Sequence, residues 1–85
     1  MQQFPELKEN QVALLRCRLR TGHVIDENFR LAISDDQLAY TVFDDVDSAL
    51  HFAIKMVLSN NEIECVIYGR DKEVIKYVTL QDCIR

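Results

Sequence analysis

The sequence predicts an α+β fold: an antiparallel sheet in β-β-β-α-β-β order, with one amphipathic helix packed on one face. Three observations predict it. Between residues 44 and 61, Val46, Ala49, Leu50, Ala53, Ile54, Val57 and Leu58 recur at helical spacing and form one apolar stripe. From Leu15 to Arg20, apolar and charged residues alternate with the period-2 signature of a half-buried strand. Two pairs of strand-like segments, residues 29–33 with 38–42 and 62–69 with 73–80, each flank a short polar turn.

Each element has a local reason. Residues 1–11 carry few apolar side chains and one proline, and read as a loose lead-in. Residues 12–20 form the first strand, which Thr21 and Gly22 break, since glycine reaches φ values that other residues resist. Residues 23–28 connect. Ser34, Asp35, Asp36 and Gln37 then supply turn chemistry, because short polar side chains bond nearby backbone. That turn pairs Ile33 with Leu38, Leu31 with Tyr40 and Phe29 with Val42, which places all six on one face.

Asp44 or Asp45 caps the helix and Asp47 complements its dipole. Asn61 suits a left-handed C-cap. In the second hairpin, Ile67 pairs with Lys76, Cys65 with Val78 and Ile63 with Leu80, and Tyr68 lies beside Ile75 and Val66 beside Tyr77 on the opposite face. Residues 81–85 are a tail. The predicted core joins Leu15, Cys17, Leu19 and the six hairpin residues to Ala49, Leu50, Ala53, Ile54, Val57, Ile63, Cys65 and Val78.

Composition bounds the function. Residues 1–85 make a single small domain, 48% hydrophobic and 28% charged, in the range of folded globular chains. A net charge of −4 and a pI near 5.0 argue against a dedicated nucleic-acid binder. No stretch is long and apolar enough to span a membrane, and the first residues lack the basic-then-apolar pattern of a signal peptide. A cytoplasmic location is expected. Cys17, Cys65 and Cys83 show no metal-site or disulfide-framework spacing and read as reduced thiols.

Catalytic signatures are mostly absent. Gly22 and Gly69 are the only glycines, so no glycine-rich phosphate loop can form. No Gly-x-Ser-x-Gly elbow and no His-Glu-x-x-His pair occurs. Asp44, Asp45 and Asp47 fail the calcium-loop spacing, with Lys55 where the bidentate glutamate belongs. His51 lies on the helix flank one turn after Asp47. His23, beside Asp26 and Glu27, is the one candidate metal or catalytic group. No catalytic residue, metal ligand or cofactor is otherwise expected, and the chain is expected not to be an enzyme.

The second sheet face carries the functional expectation. By alternation Leu14, Val66, Tyr68, Ile75 and Tyr77 project away from the helix, ringed by Arg16, Arg18 and Arg30, with Arg20 on the same side. Tyr and Arg beside apolar residues match the composition of protein interfaces. A protein partner or a second copy of the chain is therefore the expected ligand. Single-stranded nucleic acid, stacked on the tyrosines, is the alternative. The RNA-binding signature of the RRM class is missing, because Tyr68-Gly69-Arg70-Asp71-Lys72 lacks its Gly-Phe core. The sequence leaves open whether the termini cover this face.

Overall fold

The structure, a computed structural model, describes residues 2–83. Its elements are β1 (Val12–Arg18), β2 (Val24–Ile25), β3 (Tyr40–Phe43), α1 (Val46–Ser59), β4 (Ile63–Tyr68), β5 (Val74–Val78) and a short α2 (Leu80–Cys83). The strands form one antiparallel sheet in the order β2-β1-β4-β5, with β3 also paired to β1. β2 pairs with Arg16 and Cys17, and β3 pairs with residues 12–15. The two therefore lie end to end along one side of β1, while β4 occupies the other. The predicted element order and the single main helix on the sheet are both present.

β1 is central because its sequence is apolar on both faces. Val12, Ala13, Leu14 and Leu15 are consecutive and all buried, as expected of a strand covered on both sides. Val12 and Leu14 join Ile25, Ala49, Ala53, Val57, Ile63, Cys65, Ile67 and Val78 in the core beneath α1. Leu15 and Cys17 point the other way and pack with Ala32, Ala39 and Val66 in a second, smaller core. α1 starts at Asp45, whose Oδ1 accepts the Ser48 N–H at 2.7 Å.

Several sequence expectations are corrected. The face assignment of β1 is inverted: Arg16 pairs with Cys65 and Leu14 with Ile67, so the even residues face the helix. The alternation misled because Arg16, the residue that marked a solvent face, is only 1% exposed. The first strand also ends at Arg18, leaving Leu19 exposed.

The hairpin over residues 29–42 does not form. β2 is the short pair Val24–Ile25, Leu31 keeps one bridge to Ile25, and residues 26–39 make a loop. Phe29, Leu31, Ile33, Leu38 and Val42 are exposed, Ile33 at 79%. Side chains take the backbone groups that a hairpin would have paired. Asp26 Oδ1 accepts the N–H groups of Asn28 and Arg30, at 2.8 and 3.0 Å. Gln37 Oε1 accepts those of Ile33 and Ser34, at 2.9 and 2.8 Å. Gln37 Nε2 closes the loop by donating to Asp26 Oδ2 at 2.7 Å.

Smaller differences follow the same logic. The buried stripe of α1 is Ala49, Ala53 and Val57, with Val46, Leu50, Phe52 and Met56 at its sides, whereas Ile54 and Leu58 face out. The helix closes at Asn60 in extended backbone rather than at a left-handed Asn61. In the second hairpin the pairs Cys65–Val78, Val66–Tyr77 and Ile67–Lys76 form as expected. A bulge then pairs Tyr68 with Val74, not Ile75. Leu80 leaves the sheet because Thr79 caps α2, its N–H and hydroxyl both donating to Asp82 Oδ2. Of the 81–85 tail, residues 84 and 85 lie outside the described residues.

Candidate interaction surface

The residues expected to share the outer face are divided by the fold. Leu14 is fully buried under α1. Arg16 is buried on that same side, where Nη1 donates to Thr41 Oγ1 at 2.8 Å and Nη2 to the Leu38 carbonyl at 2.9 Å. Its Nε has no hydrogen-bond partner among the described residues. Burial pulls the Arg16 pKa down, while Cys65, Glu27 and Asp26 pull it back up. The guanidinium therefore ties the end of the 26–39 loop to the sheet instead of meeting a ligand. Arg18 is exposed and donates to the Phe29 carbonyl at 3.3 Å. Arg30 is exposed within the loop.

Val66, Tyr68 and Tyr77 do lie on the outer face, but only Tyr77 is open. Val66 is in the second core. Tyr68 forms one wall of a cleft with Tyr40, and Gln2 and Phe4 enter it. The Phe4 ring meets Tyr40 edge-on at 5.3 Å and Tyr68 at 5.9 Å. Gln2 Oε1 accepts the N–H groups of Ala39 and Tyr40 at 2.9 and 3.0 Å. Lys72 Nζ stands 5.5 Å from the centre of the Phe4 ring. Burial raises the pKa of both tyrosines. The lead-in is thus a docked segment. A lone Phe-Pro pair in a polar stretch was the signal for it in the sequence.

What remains open lies along β5. Val74, Ile75 and Tyr77 are exposed, Tyr77 at 54%, on a strand that pairs with β4 alone among the described residues. The connecting turn is tight. Gly69 N–H donates to the Glu73 carbonyl at 2.8 Å and Lys72 N–H to the Gly69 carbonyl at 3.1 Å, with Lys72 at φ 64°. A side chain at Gly69 would collide with the Glu73 carboxylate.

The His23 group is not assembled. His23 is exposed, and Asp26 spends both carboxylate oxygens inside the loop. The Arg30 N–H and then the Gln37 amide hold the Asp26 pKa below the usual carboxylate value. His51 is exposed on α1. Among the described residues, no three His, Cys, Asp or Glu side chains converge as a metal site. No helix among them is long and apolar enough to cross a membrane. Cys17 and Cys65 are buried free thiols, and Cys83 is half-buried. Burial pushes the Cys65 thiol up to about 12 against a partial opposing pull from Arg16, and burial followed by Glu64 raises Cys17. Comparison with known protein families, curated proteins and solved structures finds no match to this chain.

Proposed function

We propose that the protein is a non-enzymatic association module, and that a second copy of the chain or another protein adds along β5 and over Tyr77. One observation carries the reading. Val74, Ile75 and Tyr77 are exposed together on a strand whose outer edge has no partner strand among the described residues. An open edge offers unpaired N–H and C=O groups, and adjacent apolar side chains reward whatever covers them. A two-fold axis lets such an edge pair with its own copy. Lys76 and the bulge beside Tyr68 restrict which strands can add, which favours a specific partner over indiscriminate pairing. The free thiols suit a reducing, cytoplasmic setting.

Nucleic acid is not favoured. Arg16 is buried, and Arg30 belongs to the loop beside the β2 and β3 edge, at the far side of the sheet from β5. The test is molar mass by light scattering for wild type and Tyr77→Glu, at low and high salt. A wild-type dimer that resists salt, and a monomeric Tyr77→Glu, are expected. A wild-type monomer would remove self-association, and steep weakening with salt would replace the apolar interface with a charged one.

A further inference from the structure

The 26–39 loop turns large apolar side chains outward from a fixed backbone. Leu31, Ile33 and Leu38 line a concavity of about 480 Å³ together with Glu27, Arg30 and Asp36. Ile33 is the most exposed of the large apolar residues. Connecting loops are ordinarily built from polar turn formers, and exposed apolar side chains that share one surface mark an interaction site. Slack in the chain does not explain the exposure. Asp26 and Gln37 bond to each other and hold the main chain between them at Arg30, Leu31 and Ser34. Side chains displayed from a held backbone lose little further freedom when something covers them.

Phe29 is a second observation in the same loop. It lies between Asn28 and Arg30, which both line the concavity, and its ring is exposed. Its backbone is left-handed, at φ 64°. A bulky side chain meets a steric cost there that glycine avoids. The conformation is enforced: the Phe29 N–H donates to the Asp26 carbonyl at 3.1 Å, and the Phe29 carbonyl accepts from Arg18 at 3.3 Å. Strain of this kind, held in place by its surroundings, gathers where a chain meets a ligand.

Charge selects the occupant. Among the exposed residues of 27–38, Glu27, Asp35 and Asp36 are acidic and Arg30 alone is basic. Asp26 lies beneath them with both carboxylate oxygens in use. An acidic rim repels the phosphates of nucleic acid and of anionic lipid. It equally repels a second copy of a chain whose net charge is −4. We propose that the concavity docks a segment of another protein that carries apolar side chains beside lysine or arginine. The apolar side chains cover Leu31, Ile33 and Leu38, and the cations meet Glu27 and Asp36.

The site stands apart from the β5 edge, and the test keeps the two distinguishable. Short acetylated peptides that alternate leucine with lysine, leucine with glutamate, and serine with lysine are titrated to millimolar concentration into isotope-labelled protein. Amide shifts give the location and the affinity. Saturable shifts at residues 27–38 with the leucine–lysine peptide alone are expected. No shifts there, shifts centred on β5 instead, or an equal response to either control peptide would overturn the proposal. Shifts at 27–38 on concentrating the protein alone would make the occupant a second copy and overturn it too. Ile33→Ser should weaken binding about tenfold, through loss of one covered apolar side chain, and Ile33→Leu should bind as wild type does. The main-chain N–H of Ile33 is what bonds Gln37, so both variants keep the loop closed. Asp36→Lys should weaken binding about threefold at low salt and less at high salt. Tyr77→Glu should leave the affinity unchanged, because β5 lies at the far side of the sheet. Unchanged affinity in Ile33→Ser and Asp36→Lys, or a loss in Tyr77→Glu, would place the docking elsewhere and overturn it.

Discussion

Arg16 holds two neutral oxygens from inside the core, and the shape of its guanidinium is what allows it. Thr41 Oγ1 and the Leu38 carbonyl are reached by separate nitrogens of one planar fork. Lysine carries a single compact charge and cannot serve both sites in that geometry. Arg16→Lys is expected to cost about 1–3 kcal/mol in chemical denaturation, the penalty of leaving a buried acceptor unsatisfied. A change below about 0.5 kcal/mol would show that the fork is not needed. Cys65 makes a pH prediction. Its thiol is raised from 9.0 to about 12 in the folded chain, so the unfolded state releases its proton first. The stability this provides is complete below pH 9 and is lost as pH rises toward 12. Denaturation midpoints should fall across that window in wild type, and the fall should be shallower in Cys65→Ala. Thiol labelling of the native chain should reach Cys83 first, since it is the least buried of the three.

The helix separates what periodicity reveals from what it hides. The span of α1 was legible, because a sustained apolar stripe and a capping aspartate act within one turn of their targets. Its rotation was not. Ala49 and Ala53 let the helix approach the sheet closely, and the larger Ile54 and Leu58 are left on the flank. Val57→Ala should therefore cost about 2 kcal/mol and Ile54→Ala under about 1 kcal/mol, read from urea midpoints. The reverse order would mean that the stripe is turned as the sequence alone implied. Strand faces failed for a related reason: β1 is covered on both sides, so alternation in its charged half says little about which side the helix takes. The loop failed because Asp26 and Gln37, eleven positions apart, satisfy each other and the backbone between them. No local pattern encodes such a pair.

At the scale of the molecule, the candidate surface was half legible. Tyr77 and Val66 fell on the expected face because the second hairpin's register held up to its bulge. Leu14 and Arg16 did not, because their placement depends on how β1 meets β4, a long-range pairing. That arrangement makes β1 the most protected strand, with neighbours on both sides and a core over each face. Hydrogen exchange should be slowest at the β1 amides Leu14, Leu15 and Arg16. Outward amides of β5 should exchange quickly in dilute solution and slow down as concentration rises. Concentration-independent exchange in β5 would show that its edge stays open.

The end-to-end placement of β2 and β3 has an evolutionary consequence. The chain leaves the edge of β1 after Ile25 and rejoins the same line at Tyr40. Between them a single bridge, Leu31 to Ile25, is the only strand-type pairing among the described residues, and longer loops add closure entropy only slowly. Within the Asp26–Gln37 clasp, Leu31 bridges Ile25 and Ala32 packs in the second core, so the place where added residues leave these anchors standing is the exposed tip at Asp35 and Asp36. The fold thus carries a loop tip that can lengthen while the sheet keeps its register, and descendants of this chain have there a position at which to acquire a new specificity.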